Sequence, residues 1–166
     1  MTFKEYILHQ LKEIKREMLN AINDLSKEDL VAFEPCGHWP IAWIVQHCCG
    51  IIDSYIYKHI TGKAFLTHDV ERIAYPFKIE PKPEDVYPEL SVLLERWSTL
   101  LDASIEQIGS LSEETLNDKF FNHDEEIAVS CLRVINHTNA HLRNIWCILG
   151  ERRVDTKWAE QSTWLA

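Results

Sequence analysis

The sequence is poor in the residues that interrupt regular structure. Among 166 residues there are only five glycines and six prolines, which argues against disorder and against a turn-rich all-β fold. A basic excess is also missing, because 17 lysines and arginines stand against 26 acidic residues and give a net charge of −9. Binding to a phosphate backbone relies on a basic surface, so we expect no nucleic-acid partner.

Long apolar runs are missing as well. No stretch approaches the roughly 20 apolar residues that cross a bilayer, and the charged Lys4 and Glu5 stand where a signal peptide would have its apolar segment. We therefore expect a cytoplasmic protein with no membrane partner. An odd number of cysteines, five, fits reduced thiols better than a disulfide framework. The length predicts a single domain, residues 1–166.

What the sequence has is apolar residues at helical spacing. They predict an all-α fold arranged as a four-helix bundle. The predicted long helices cover residues 2–23, 41–59, 88–108 and 131–150. Pro40 and Pro88 suit the first turn of a helix, and Gly150 is a plausible stop. A short helical piece is expected within residues 25–33, where Ser26 and Asp29 match a capping box.

Two connections complete the predicted bundle. Residues 62–83 show no helical period and predict a long crossover connection between the second and third long helices, which would let these two helices run parallel. Residues 118–129 could form a small hairpin before the fourth helix.

The fourth predicted helix carries two histidines, His137 and His141, one turn apart. This spacing puts both imidazoles on one face, and Val134 and Ile145 lie on the same face. Two inward-facing histidines at i and i+4 can offer two nitrogens to one metal ion. The alternative is a pair of interior histidines that are hydrogen-bonded to the backbone.

A third histidine strengthens the metal interpretation. His47 lies in the apolar second helix, three residues after Ile44 and four before Ile51, so it also points inward. Three neutral nitrogens with one open coordination position would suit Zn, Ni, Fe or Co. We therefore predict a metal site formed by His47, His137 and His141.

The sequence gives less support to other potential metal ligands or catalytic residues. Cys48 and Cys49 directly follow His47, but adjacent helical positions diverge by about 100°, so we interpret both as small core residues. Cys36 and His38 have no neighbours that complete a four-ligand set. His123 could be a general acid or base, although a solvated loop tip is the better interpretation.

Two segments carry a resemblance to a known family. These are Trp-Pro-Ile-Ala-Trp-Ile-Val-Gln-His, which ends at His47, and residues 136–144, Asn-His-Thr-Asn-Ala-His-Leu-Arg-Asn. They resemble the DinB-like metalloenzymes, a superfamily of four-helix bundles that includes bacillithiol transferases and mycothiol-dependent maleylpyruvate isomerase. Members typically have one histidine in the second helix and an H-x-x-x-H pair in the fourth, which correspond to His47, His137 and His141. Ala140, Arg143 and Asn144 replace the extra His and the Gly-Gln that many members have.

The resemblance implies a homodimer with a divalent metal ion, Zn or Ni, open to a small-molecule substrate. Characterised relatives are thought to bind a low-molecular-weight thiol as thiolate. The implied function is a metal-dependent enzyme, a thiol-dependent S-transferase or isomerase that activates a thiol or water at the three histidines. The alternative is a non-catalytic metal-binding helical protein. Trp39 and Trp43 are candidate pocket walls, and a carboxylate that supports a histidine ligand is sought among Glu95, Asp102 and Glu106.

Overall fold

The computed structural model of the chain describes residues 1–33, 39–66, 80–119 and 125–152, and their regular structure is helical. Numbered in chain order, the described α-helices are α1 (Phe3–Ile22), α2 (Lys27–Val31), α3 (Ile41–Ile52), α4 (Lys58–Thr61), α5 (Leu90–Ser110) and α6 (Ile127–Glu151). A π-helical turn, Asp53–Tyr57, joins α3 to α4, and a 3₁₀ turn, Thr115–Asn117, precedes α6. The predicted all-α class is confirmed.

Helix α1 begins at a capping box and buries one stripe. The Thr2 side chain accepts a hydrogen bond from the Glu5 N–H, while the Glu5 carboxylate accepts one from the Thr2 N–H. These two bonds satisfy N–H groups that have no partner within the helix. The buried positions recur at three- and four-residue intervals and are Ile7, Leu11, Ile14, Met18, Ala21 and Ile22. The predicted capping box of the short helix α2 is also present, between Ser26 and Asp29.

Helix α3 is the innermost element, because all twelve of its residues are buried. It continues through the π-helical turn into α4, whose C-cap is Gly62 with a φ of +74°. A π turn shifts the backbone hydrogen-bond register, and here the carbonyl of Tyr55 accepts a hydrogen bond from the Ser130 hydroxyl on α6 (3.2 Å). The turn is therefore tied directly to the helix that carries the two other histidines.

The long helices surround a single apolar core. Helix α1 contacts α5 and α6, and α3 contacts the same two helices. The stripe that was predicted on α5 is the buried one: Leu93, Trp97, Leu100, Leu101, Ser104 and Ile108. This arrangement brings the face of α3 that carries His47 against α6. No described helix is long and apolar enough to cross a membrane.

Two predicted helix starts need correction. Helix α6 begins at Ile127, four residues before the predicted start, because Ile127 and Ala128 are themselves buried and extend the apolar stripe. Helix α5 begins at Leu90, since the preceding Glu89 has an extended backbone; Pro88 therefore lies outside the helix.

Two predicted helix-terminal residues occupy different positions. Pro40 is the N-cap of α3 instead of its first helical residue, and its carbonyl accepts the Ile44 N–H (3.0 Å). Gly150 lies inside α6, because the helix continues to Glu151 and is capped by Arg152, whose N–H donates to the Ile148 carbonyl.

The two predicted connections differ in how far the structure describes them. The crossover between α4 and α5 contains residues 67–79, which lie outside the described residues. The hairpin prediction was too extensive, because Ile127 to Val129 belong to α6. What remains among the described residues is an isolated antiparallel bridge between Lys119 and Glu126.

Candidate metal centre

The three histidines selected from the sequence lie together between α3 and α6. The Nε2 atoms of His47 and His137 are 2.9 Å apart. One ring nitrogen from each of His47, His137 and His141 can be chosen so that all three lie within 4.8 Å of one another. Residues separated by 90 positions in the sequence are thus brought to one point by the packing of α3 against α6.

Helical spacing explains the geometry of the pair on α6. His137 and His141 are one turn apart, and their ring centroids are separated by 4.5 Å with the planes inclined at 71°. Each ring is also close to that of His47, at centroid distances of 5.1 Å for His137 and 4.9 Å for His141. The three rings are therefore close together and steeply inclined to one another, at interplanar angles of 58° to 73°.

The cluster lies at the border of the core. His47 is buried, with 5% of its surface exposed, whereas His137 and His141 are partly exposed. The two α6 histidines therefore flank the buried stripe of their helix instead of lying in its centre, which Val134 and Ile145 occupy. A ligand held by the three rings would be anchored in the core and accessible from the α6 side.

Burial keeps the imidazoles neutral. Desolvation lowers the pKa of His47 to about 4, and the neighbouring His141 and His137 add to the effect. The pKa of His141 is also lowered to about 4, mainly by burial and then by His137, and burial lowers the pKa of His137. A neutral imidazole has one nitrogen with a free lone pair, so all three side chains can act as metal ligands near pH 7.

Two of the Nδ1 atoms in the cluster have no hydrogen-bond partner among the described residues. They are Nδ1 of His47 and Nδ1 of His141, and both are buried. A histidine that binds metal usually donates its other N–H to a carboxylate or a carbonyl. That partner is missing at both residues.

The candidate carboxylates on α5 do not fill this role. Asp102 pairs with Lys15 of α1 (2.7 Å), and Glu95 and Glu106 are exposed. All three side chains therefore lie on the solvent side of α5. The expectation of a supporting carboxylate among them was wrong, because the helical period turns these three positions away from the buried Trp97 and Leu101.

Two tryptophans lie against the histidines. The Trp43 ring stacks on the His47 ring at a centroid distance of 4.9 Å and an interplanar angle of 12°. The Trp39 ring contacts Trp43 edge-on (4.2 Å, 61°) and lies 6.5 Å from the His141 ring at an angle of 24°. The sequence indicated these tryptophans only as pocket walls. The spacing Trp-x₃-Trp-x₃-His, ending at His47, was the signal: Trp43 is one turn before His47 on α3, and Trp39 directly precedes the N-cap Pro40.

The cysteines beside His47 are core residues, as interpreted from the sequence. Cys48 and Cys49 are both buried. Burial raises the pKa of Cys48 well above its usual value and that of Cys49 to about 12. Metal ligation by cysteine requires the thiolate, so neither thiol is a suitable ligand. Cys36, His38 and His123 lie outside the described residues.

Sequence reasoning missed one buried charged residue, Asp53. Its carboxylate accepts hydrogen bonds from the backbone N–H groups of Phe65 (2.8 Å, to Oδ1) and Leu66 (3.0 Å, to Oδ2). Asp53 lies at the start of the π-helical turn, and it holds the segment after α4 against the end of α3. Its only sequence signal was an acid directly after the apolar run that ends at Ile52.

Comparison with known families agrees with this architecture. A sequence profile of the DinB superfamily matches residues 10–144, which is most of the chain and includes all three histidines. The chain belongs to the DinB superfamily. No individual curated protein is significantly similar to it in sequence.

The distances between the histidine nitrogens of this DinB-superfamily protein can be compared with those in a zinc site. Two nitrogens that bind one Zn ion at 2.0–2.1 Å with tetrahedral geometry lie about 3.3 Å apart. The Nε2 atoms of His47 and His137 are 2.9 Å apart, so a shift of about 0.4 Å would suffice. Three neutral imidazoles, all on helices and two of them reachable from solvent, fit a divalent ion with an open coordination position.

Proposed function

We propose that the protein binds one divalent metal ion, Zn or Ni, through His47, His137 and His141, and that it is a metal-dependent enzyme acting on a small molecule. The observation that carries the proposal is that one ring nitrogen from each of the three neutral imidazoles lies within 4.8 Å of the others, at the border of the core. Membership of the DinB superfamily supports it.

The reaction class that fits this site best is a thiol-dependent transfer or isomerisation. His47, His137 and His141 would hold a divalent cation, which would supply Lewis acidity and so lower the pKa of a thiol or water beside it. The histidines of the chain determine where this chemistry takes place. His47 anchors the site in the core, whereas His137 and His141 leave its outer side open to a low-molecular-weight thiol and to the substrate. The two thiols that directly follow His47 in the sequence, Cys48 and Cys49, are buried and their pKa values are raised, so they do not compete with an external thiol.

Metal content tests the ligand set. Protein purified without a histidine tag or chelator should contain about one equivalent of Zn or Ni per chain, and His137→Ala should lose it. His9→Ala, which removes an exposed histidine of α1, is the matched control and should retain the metal. Unchanged metal content in His137→Ala would contradict the proposal.

Thiol binding tests the reaction class separately. Titration calorimetry with cysteine and bacillithiol should give binding to metal-loaded wild type and no binding to His137→Ala. Serine differs from cysteine by the replacement of sulfur with oxygen, so it is the matched ligand control and should not bind. Equal affinity for cysteine and serine, or equal binding without metal, would overturn the thiol-dependent assignment while leaving the metal site intact.

The alternative is a non-catalytic protein in which a metal stabilises the fold. It is favoured by the burial of His47, which is only 5% exposed, because a metal bound by a core residue of α3 and by α6 would join the two helices. Thermal unfolding with and without chelator separates the two. A structural metal should raise the midpoint strongly, since binding free energy then becomes folding free energy, whereas a catalytic metal needs to change it only modestly.

Assembly and location complete the proposal. We propose a homodimer, as the family resemblance implies, and sedimentation equilibrium checks it. We also propose a reducing cytoplasmic location. The four cysteines in the described residues, Cys48, Cys49, Cys131 and Cys147, are free, which supports that location; a thiol count on protein isolated with an alkylating agent present checks it.

A further inference from the structure

Two histidine rings of the cluster have a buried nitrogen without a partner, so a contact other than a hydrogen bond must hold their orientation. A carboxylate or carbonyl normally holds a ligating imidazole in one tautomer and one orientation. His47 Nδ1 and His141 Nδ1 have no such partner among the described residues. Because a freely rotating ring would lose entropy when it binds a metal, some other contact must restrict the rings if the site is to be preorganised.

Trp43 provides such a contact to His47. It is one helical turn before His47 on α3, and the two rings are nearly parallel, 4.9 Å apart with an interplanar angle of 12°. Trp43 itself is 2% exposed and belongs to the core, so its own ring is fixed by its neighbours. Rotation of the His47 imidazole about its Cβ–Cγ bond would drive the ring edge into this fixed indole.

Trp39 extends the contact to the other helix. It packs edge-on against Trp43 (4.2 Å) and lies across from the His141 ring at 6.5 Å, with the planes only 24° apart. Edge-to-face and offset arrangements are the favourable ones for aromatic pairs, and the separation of Trp39 from His141 lies within their usual range. Trp39 is 39% exposed, so it forms the solvent end of a continuous aromatic group. We call Trp39 and Trp43 the tryptophan clamp.

We propose that the tryptophan clamp positions the imidazoles of His47 and His141 for metal binding, in place of hydrogen-bonded carboxylates. This inference rests on the proposed function, because it concerns the metal affinity of the three histidines. Ring contact restricts orientation but, unlike a carboxylate, does not place negative charge beside the ligand. Metal affinity should therefore depend on a flat aromatic side chain at positions 39 and 43, and phenylalanine should preserve most of it.

The test compares leucine and phenylalanine at both positions. The dissociation constant for Zn, measured by competition with a chromogenic chelator, should rise about tenfold in Trp43→Leu, which is the lower end of the loss caused by removing a group that supports a ligand. Trp43→Phe should stay within about threefold of wild type on the same scale. Trp39→Leu should weaken binding less than Trp43→Leu does, because the ring of Trp39 is farther from its histidine.

Stability is measured in parallel, because Trp43 is buried and its replacement by leucine can also destabilise the fold. Trp39→Leu removes a partly exposed ring, so its metal-free thermal midpoint should match wild type while its Zn affinity falls. Phe33→Leu is the matched control, since Phe33 is 40% exposed and lies outside the clamp. Trp97→Phe is the core control, which should lower the midpoint and leave Zn affinity unchanged.

The outcomes are distinguishable. If wild type binds Zn and both leucine variants bind it equally tightly, the clamp has no positioning role and the inference is overturned, while the proposed function stands. Equal losses in the leucine and phenylalanine variants at both positions would also overturn it, because ring contact would then not be what matters. If wild type binds neither Zn nor Ni, the proposed function itself fails. If Trp43→Leu does not fold, the Trp39 pair decides alone.

Discussion

Two regions of the core differ in how many of their buried polar atoms have hydrogen-bond partners. The buried stripe of α5 around Trp97 is apolar except for Ser104, whose buried hydroxyl has no partner among the described residues. The one polar atom of the Trp97 ring, Nε1, donates a hydrogen bond to the Lys15 carbonyl of α1 (3.1 Å). On α3 and α6, four buried polar atoms have no partner in the part of the chain that the structure describes. They are Gln46 Nε2, His47 Nδ1, Thr138 Oγ1 and His141 Nδ1.

This difference separates the part of the core that serves stability from the part that can serve a ligand. A buried polar atom without a partner costs about 1–3 kcal/mol, so the region around His47 is less stable than apolar side chains would make it. Proteins accept such costs at functional sites, where activity needs groups that the fold alone would not favour. The Trp97 ring, whose polar atom has a hydrogen-bond partner, is therefore the reference against which the histidine region can be tested.

The largest effect is expected from truncation in the Trp97 region. Trp97→Ala removes a fully buried indole and should lower the free energy of unfolding by about 3–5 kcal/mol, as measured by urea denaturation. The content of Zn or Ni should not change, because the ring lies outside the histidine cluster. Trp97→Phe should lose less, and a loss below about 1 kcal/mol for the alanine variant would show that this region is not the stable part of the core.

A smaller effect is expected at Asp53, a buried polar residue that does have partners. Asp53→Ala leaves the N–H groups of Phe65 and Leu66 without their acceptor and should cost about 1–3 kcal/mol, again by urea denaturation. Asp53→Asn retains one oxygen acceptor and should cost less. If the alanine variant were as stable as wild type, the hydrogen bonds of Asp53 would not contribute to stability. Having a partner would then make no measurable difference for a buried polar group here.

Acid should act on the histidine region of the metal-free protein. The folded-state pKa of His47 and of His141 is about 4, below the value of 6.5 for the unfolded chain. Between these values the unfolded state binds more protons, so stability is full above about pH 6.5 and falls as the pH drops towards 4. The effect should be moderate, because His141 retains contact with water. Chelator-treated protein unfolded by urea at several pH values measures it.

The same experiment has two comparison variants. His47→Leu should make the pH profile between 6.5 and 4 shallower, because His141 still contributes, whereas His9→Ala, which changes an exposed residue, should leave it unaltered. A wild-type profile that is flat over this interval would mean that the imidazoles are not held neutral by burial.

Sequence periodicity was sufficient to predict the buried faces of the helices, and insufficient to predict the hydrogen bonds of the buried polar residues. Spacing identified the buried stripe that contains Trp97, and it also identified His47, because a histidine inside an apolar run points inward. The π-helical turn beginning at Asp53 could not be predicted, since it depends on a shift in hydrogen-bond register and on Ser130 of a distant helix. The unpartnered Nδ1 atoms were equally hidden, because sequence spacing places a side chain on a face but does not show which atoms it meets there.

The smallest effect, and the one of opposite sign, is expected at Thr138. Its buried hydroxyl has no partner among the described residues, so Thr138→Val replaces an unsatisfied polar atom with a methyl group of nearly the same volume. Such a change should stabilise the metal-free protein by about 1 kcal/mol, as measured by urea denaturation. Zn affinity should be unchanged, because the shape next to His137 is preserved. Thr138→Ser, which keeps the hydroxyl and loses the methyl group, should be less stable than wild type and is the matched control.

Loss of stability in Thr138→Val would have a specific meaning. It would indicate that the hydroxyl has a partner, for which a buried water is the simplest choice, since such waters bind buried polar groups that lack other partners. The polar atoms between α3 and α6 would then be hydrated instead of unsatisfied, and the distinction from the Trp97 region would be one of water content. A stabilised Thr138→Val with unaltered Zn affinity would show instead that only the histidines among these polar residues are needed for the metal.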